Sequence, residues 1–216
     1  MTRYPNARWY PGDVSKHYDV DNACRGIVYH SMEGYIGYAL LEVADPNIKL
    51  SWPFSVCKDG TVYQHYELET SCLCNGNYYA NTNYIGIEHE GVKGEPLTDA
   101  QLAASIKLTQ WISKVKGFPL VVGNTLLEHN QVVLMEYPNA GYTTCPNSRI
   151  PFNKYIEDNV IVTPLDQSKS VEFVLSLVNN VTDIISDSNG CTVLQLETPS
   201  IPITPGYKLY GVIVKE

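Results

Sequence analysis

The sequence predicts a mixed α/β fold, with a central β-sheet flanked by helices over residues 1–160 and a small α+β appendage over 165–216. Three observations predict it. Short strand-type runs alternate with helix-type segments, the pattern that lays helices over one sheet. Asp59-Gly60 sits between two alternating runs and supplies the positive φ that a tight hairpin needs. Beyond Val162-Thr163-Pro164 the composition changes: residues 165–216 carry no His and no Trp, only Phe173, Tyr207 and Tyr210 as aromatics, and three lysines against six acidic residues.

Taken in order, residues 1–22 are rich in Tyr, Asn, Pro and Asp and read as an irregular lead-in. Gly26–His30 is a short apolar strand that delivers His30 at its C-terminal end. Ser31 is then expected to cap a helix carrying Tyr35, Ala39, Leu40 and Val43 at helical spacing and stopping before Pro46. Trp52–Lys58 and Thr61–His65 form the two arms of the hairpin; Pro53 cannot donate to a ladder and so fits a strand start or an edge. Tyr84–Glu90 is a strand with Ile85, Ile87 and His89 on one face and Gly86, Glu88 and Glu90 on the other. Thr98 and Gln101 have capping-box spacing, and the stripe Leu102, Ile106, Ile112 and Val115 predicts a long helix that ends at Gly117 and Pro119. Val121-Val122 reads as a short strand, the stretch from there to Pro151 as loop, and Asn153–Asn159 as a last short helix. In the appendage, Val174, Leu177, Val178, Val181 and Ile185 fit an amphipathic helix, with a strand as the alternative for so β-branched a run. Cys191–Glu197 and Tyr207–Lys215 read as strands.

Composition excludes several classes of function. With 15 Lys+Arg against 23 Asp+Glu, the net charge of −8 argues against nucleic acid as a partner, because binding to phosphates needs clustered cations. A hydrophobic share of 44% and a charged share of 18% suit a chain that buries a core. No apolar run approaches the ~18 residues of a membrane span, so no membrane insertion is expected. The opening MTRYPNARWYPGD has no apolar h-region and so does not read as a signal peptide, which predicts a product made in the cytoplasm. That compartment makes free thiols the default for Cys24, Cys57, Cys72, Cys74, Cys145 and Cys191. The aromatic balance is unusual, at 16 Tyr against 4 Phe and 3 Trp. A tyrosine joins an apolar face to a hydroxyl, which suits a wet binding groove.

Five histidines are present: His17, His30, His65, His89 and His129. His30, His129 and Cys145 would give one zinc ion three tetrahedral ligands and leave a fourth position for water. The alternative on spacing alone is two unrelated loop histidines and a buried thiol, since no HExxH is present. His17 reads as a surface residue, His65 as a hydrogen-bonded histidine and His89 as one that packs under a helix.

The local sequence adds to this. Tyr29-His30-Ser31-Met32-Glu33-Gly34, Lys58-Asp59-Gly60-Thr61-Val62-Tyr63-Gln64, Asn83-Tyr84-Ile85-Gly86-Ile87-Glu88, Leu97-Thr98-Asp99-Ala100-Gln101, His129 and Thr144-Cys145-Pro146 occur in this order. Together they resemble the type 2 family of zinc-dependent N-acetylmuramoyl-L-alanine amidases, which includes phage endolysins and shares its fold with the peptidoglycan recognition proteins. The resemblance covers about residues 20–158. It implies Zn2+ on His30, His129 and Cys145, with Glu88 working on the zinc-activated water and the hydroxyl of Thr143 donating to the developing oxyanion. Glu90 shares its strand face with Glu88, so periodicity cannot choose between them; the resemblance favours Glu88 and leaves Glu90 as a strand-end carboxylate or a contact to substrate peptide. Trp52 stands where many relatives keep an aromatic beside the zinc, either packing against the site or stacking on sugar or peptide. Pro53 lies where many relatives carry a His.

The implied reaction is cleavage of the amide between N-acetylmuramic acid and L-alanine in bacterial peptidoglycan, by a monomer released to the wall as a phage or prophage endolysin. Alternatives are a cytoplasmic muropeptide-recycling amidase and a non-catalytic peptidoglycan-binding module. Such modules typically lack the Cys ligand, which this chain has. Residues 165–216 are expected to be a wall-targeting or structural appendage. Most of the tyrosines precede that boundary, and Tyr29, Tyr35, Tyr84 and Tyr142 lie near the motifs, which predicts an uncharged aromatic groove lined in part by Tyr29 and Tyr84.

Overall fold

The computed structural model describes residues 2–136, 143–157, 181–186, 191–196 and 213–214. The chain clusters into two units, Met1–Val160 and Ile161–Glu216. With elements numbered along the chain, the first unit contains β1 (Arg8–Trp9), β2 (His17–Asp21), β3 (Gly26–Ser31), α1 (Ile36–Ala44), β4 (Phe54–Val56), β5 (Val62–Gln64), β6 (Thr70–Cys72), α2 (Tyr78–Asn83), β7 (Tyr84–His89), α3 (Asp99–Lys116), β8 (Leu126–Glu128), α4 (His129–Glu136) and α5 (Phe152–Glu157). Six strands form one mixed sheet in the order β1-β5-β4-β7-β3-β8, and β2 and β6 make a separate antiparallel ribbon.

Within the sheet, β3 runs parallel to both β7 and β8, and β4 runs parallel to β7. The predicted hairpin is β4–β5, paired from Phe54↔Gln64 to Val56↔Val62. Its turn needs glycine: Gly60 has φ +85°, and a Cβ there would come within 3.0 Å of the Ala100 carbonyl. Side chains alternate across β3 as a strand requires. Ile27 and Tyr29 join Phe54, Ile85 and Ile87 under Leu108 and Ile112 of α3 and Tyr155 of α5. Val28 faces the other way, with Leu127, Ala80 of α2 and Val132 of α4. Each large aliphatic side chain buried this way stabilises the fold by roughly 1.5–3 kcal/mol. His30 follows Val28 on the α2–α4 face.

Several expectations need correction. The lead-in is not irregular throughout: β1 adds to the sheet edge beside β5, and β2 pairs with β6. Two residues, or five largely exposed ones, leave no apolar alternation to read. Ser31 does not cap α1; it is the last residue of β3, and α1 starts five residues later behind Tyr35 with no side-chain cap. The Cys72–Asn77 stretch runs directly into a helix, α2, which Asn77 caps by accepting from the Ala80 amide. Val121 and Val122 are exposed, and Val122 makes only an isolated bridge to Leu126; the strand is β8, and α4 follows it in what reads as loop.

Helix α3 starts and stops as predicted, with Thr98 accepting from the Gln101 amide and Gly117 closing it at φ +74°. Its buried face, however, is Gln101, Ser105, Leu108, Thr109 and Ile112, while Val115 is exposed. The second unit contains β9 (Val181–Ser186), β10 (Cys191–Leu196) and β11 (Ile213–Val214), antiparallel in the order β11-β10-β9. Val181 and Ile185 are therefore in a strand and not a helix; residues 174–180, Tyr207 and Tyr210 lie outside the described residues, as does the end of the predicted last helix at 158–159.

Candidate metal centre and active site

The C-terminal ends of the parallel strands β3, β7 and β8 converge on one edge of the sheet, where ligand sites of open α/β sheets form. Register decides what meets there. His30 lies directly opposite Glu88 and Ser31 opposite His89. Tyr29 pairs with Glu128, so His129, the first residue of α4, emerges beside His30. The ring centroids of His30 and His129 are 4.5 Å apart. Cys145 arrives from the loop before α5: its Sγ lies 3.9 Å from His30 Nδ1 and accepts from the Ser31 amide at 3.3 Å. One ligand atom from each of His30, His129 and Cys145 lies within 4.8 Å of the others.

The electrostatics of the cluster favour a cation. Burial, reinforced by neighbouring His129, holds His30 well below the usual histidine range, and burial lowers His129 as well. Both rings are thus neutral lone-pair donors. Burial pushes the Cys145 thiol up to about 12, with Glu88 adding to the shift, so without a metal the sulfur stays a neutral thiol. Among the described residues, His129 Nε2 is buried without a hydrogen-bond partner. A divalent ion would satisfy all three at once, and two imidazoles with a thiolate form a donor set for a borderline-soft metal such as zinc. The residues present therefore fit the group.

Glu88 stands next to the cluster, its Oε1 3.8 Å from His30 Nδ1 and its Oε2 buried without a partner among the described residues. Burial pushes its carboxyl up to about 8, and the charges of Glu42 and Glu33 add to that. A carboxyl poised near neutrality can both take and return a proton. Thr143 is close as well: its hydroxyl oxygen accepts from the Cys145 amide at 3.2 Å, a bond that leaves the hydroxyl proton for another acceptor.

The remaining candidates are held elsewhere. Glu90 does not end in solvent or in a groove: it is 9% exposed, with Oε1 accepting from the Ile36 amide and Oε2 from the Lys58 amide. It ties α1 and the hairpin turn to the end of β7. Trp52 is 2% exposed, donates to Ser55 Oγ at 2.8 Å and packs with Ala39, Val43 and Tyr66, so it offers no face for stacking on a sugar. Tyr29 has no exposed surface; its hydroxyl bonds Thr109 on the far side of the sheet from His30. Tyr84 begins β7, four residues before Glu88, and packs against the Ala80–Val132 cluster. Tyr35 is exposed, and Tyr142 lies outside the described residues.

The other histidines sit where the sequence places them. His17 is exposed; His65 is buried between Ser55 Oγ and the Tyr10 carbonyl; His89 bonds the His30 carbonyl and Ser105 of α3. Cys24, Cys57, Cys72, Cys74 and Cys145 are all free thiols. One residue with a large role has no sequence signal. Arg149 is buried and donates to Ser31 Oγ, the carbonyls of His89 and Glu90, and the Glu95 carbonyl, all within 3.2 Å. It clamps the ends of β3 and β7 to the loop that brings Cys145. Glu33 completes this clamp, accepting from Ser31 Oγ, Asn147 Nδ2 and the Lys93 amide.

Residues 15–148 match the profile of the N-acetylmuramoyl-L-alanine amidase family, Amidase_2. The chain belongs to that family. It is accordingly an N-acetylmuramoyl-L-alanine amidase, an enzyme whose substrate is peptidoglycan. Solved structures with similar folds include the PlyG catalytic domain (TM-score 0.56, 15% identity, 73% of this chain and 97% of that one). A selenomethionine derivative of AmpD is similar as well (TM-score 0.54, 19% identity, 72% and 95%). So is the endolysin N-acetylmuramoyl-L-alanine amidase LysCS from Clostridium intestinale (TM-score 0.50, 17% identity, 73% and 97%). At these identities the likeness is one of fold. No curated protein matches the sequence.

Proposed function

We propose that this amidase is a zinc enzyme of the endolysin type that cuts the bond between the lactyl group of N-acetylmuramic acid and L-alanine in the bacterial wall. The observation that carries the reading is the meeting of His30, His129 and Cys145 within 4.8 Å, beside a buried carboxyl with an unpartnered oxygen. His30, His129 and Cys145 would hold the ion. When bound, zinc supplies Lewis acidity that polarises a carbonyl and acidifies water.

The chain's own groups account for the proton traffic. Glu88 takes the proton of the attacking water as the new C–O bond forms, then returns it to the nitrogen as the C–N bond breaks. The hydroxyl of Thr143 donates to the carbonyl oxygen as negative charge builds on it. Glu90 and Arg149 fix the strand ends so that Glu88 stays in register with His30. A pure binding module is disfavoured because it has no use for a complete donor set and a poised carboxyl.

Among the described residues no helix is long and apolar enough to cross a membrane, which is compatible with action on the wall after release. The chain is proposed to act as a monomer, with residues beyond 160 serving as an appendage that adds wall affinity.

Digestion of purified sacculi, followed by mass spectrometry, tests the reading. The expected products are stem peptides with free L-alanine amino groups and glycan with intact lactyl groups. Metal analysis should give one zinc per chain, lost in Cys145→Ser. Cleavage of soluble muropeptides but not of sacculi would replace the endolysin by a recycling enzyme. No cleavage of either would refute the assignment.

A further inference from the structure

The turn Cys74–Asn77, between β6 and α2, touches both proposed histidine ligands, and Asn75 within it has no exposed surface. Its side-chain amide is oriented by chemistry that leaves one choice. One end lies 3.0 Å from the Ala80 carbonyl and 3.1 Å from the Tyr84 carbonyl. Carbonyl oxygens only accept, so that end is the NH2 group. The other end, Oδ1, lies 2.9 Å from His30 Nε2 and also accepts from the Cys74 thiol. Because Oδ1 only accepts, His30 Nε2 must carry the hydrogen. The lone pair is then on Nδ1, the atom that faces Cys145 Sγ and Glu88.

We infer that Asn75 is the positioning residue that fixes the tautomer and ring plane of His30 before any metal arrives. The inference rests on the proposed role of His30 as a ligand. Asn75 is itself held rigidly: its backbone amide donates to Asn81 Oδ1 at 2.7 Å, and Asn77, two residues on, caps α2 and donates to the Val132 carbonyl in α4. The same turn makes room for the second histidine. Gly76 has φ +83°, and a Cβ there would lie 2.7 Å from Val133 Cγ2 and 3.1 Å from His129 Nε2. One four-residue turn thus orients His30 through a hydrogen bond and seats His129 through the absence of a side chain. Outer partners of this kind typically change metal affinity 10–100-fold when removed, because an unlocked imidazole must give up ring freedom and the wrong tautomer before it can bind.

The test begins with the metal-free wild-type protein, 15N-labelled at histidine, with His30 assigned by comparison with His30→Gln. Long-range 1H–15N spectra should show His30 with its proton on Nε2. A proton on Nδ1, or rapid exchange between tautomers, would overturn the inference whether or not zinc binds. Zinc competition titration of Asn75→Ala should then show a 10–100-fold weaker site, with a mixed His30 tautomer and the circular dichroism of the wild type. An unchanged affinity in folded Asn75→Ala would overturn it also. Should Asn75→Ala fail to fold, the wild-type tautomer decides alone. A wild-type protein with the Nε2–H tautomer that nevertheless binds no zinc would refute the proposed function and leave the assignment of Asn75 standing.

Discussion

Glu88 lies in β7 and Glu90 just beyond its end, and exchanging each for glutamine separates their roles. Among the described residues Glu88 spends neither oxygen on a hydrogen bond: Oε2 has no partner, and Oε1 lies 3.8 Å from His30 Nδ1. Glu88→Gln keeps the shape and removes only the ability to carry a proton, so the fold should be retained. A positioned general base contributes typically 10²–10⁴-fold, which is roughly 3–5 kcal/mol of barrier at about 1.4 kcal/mol per decade. Glu90 is the opposite case, with both oxygens accepting from backbone amides at 3.1 and 2.8 Å. Glu90→Gln turns one acceptor into a donor that faces another donor and breaks a bond to a charged group, at a cost of about 2–3 kcal/mol. Turnover on dye-labelled sacculi and urea unfolding, measured on both variants, give the two readouts. The expected pattern is a stable, nearly inactive Glu88→Gln and a destabilised Glu90→Gln with close to wild-type turnover below its unfolding transition. A Glu88→Gln variant within tenfold of wild type, or a folded and inactive Glu90→Gln, would refute the reasoning.

Other outcomes follow from the same contacts. Burial lowers His65 to about 4, so the folded state resists a proton that the unfolded chain takes up below its ordinary value near 6.5. Its contribution is therefore complete above that value and is lost as the pH falls toward 4, by about 3 kcal/mol at about 1.4 kcal/mol per pH unit; urea midpoints against pH should be flatter by that amount in His65→Gln. Gly76→Ala would force a side chain into a left-handed backbone, costing roughly 1–2 kcal/mol before the contact with His129 is counted. It should lower both the unfolding midpoint and zinc affinity, and an unaltered titration would contradict the role given to that turn. Tyr29→Phe removes the bond to Thr109 at a cost of about 1 kcal/mol and should leave KM for wall fragments unchanged. A raised KM would return Tyr29 to the groove.

The parts of the structure that could be read from sequence are those in which local chemistry and packing agree. The Asp59-Gly60 turn, the Thr98 cap and the alternation of Ile85 and Ile87 each carry their own signal. The inner face of α3 does not, because the helix packs with polar groups that the sheet satisfies. Gln101 donates to the carbonyls of Val56 and Glu90, Ser105 bonds His89, and Thr109 bonds Tyr29. The apolar stripe is then a partial guide: Ile112 is buried and Leu102 and Ile106 pack against the core, but Val115 is exposed. At the site, the quoted motifs led to His30, His129 and Cys145, which the fold brings together, but Asn75 and Arg149 escaped. Their importance lies in which carbonyls they reach, and that is a property of the folded chain. Closeness in sequence to the motifs points Tyr29 and Tyr84 to a groove, but that criterion is blind to the alternation that turns Tyr29 away from His30; for Trp52 the structure decides between the two open readings in favour of packing.

The parallel pairing of β3 with β7 has a consequence for how such a centre can change over time. His30 and Glu88 are opposite partners in the ladder, so main-chain bonds set their spacing to about that between neighbouring strands. Cys145 depends instead on a loop pinned by Arg149 and Glu33. Exchanges in that loop would therefore alter how firmly the proposed ion is held. The separation of imidazole from carboxylate would persist unless the sheet itself slipped. On the proposed mechanism, the proton-transfer chemistry would be anchored in the ladder, while retention of the ion would rest with the loop.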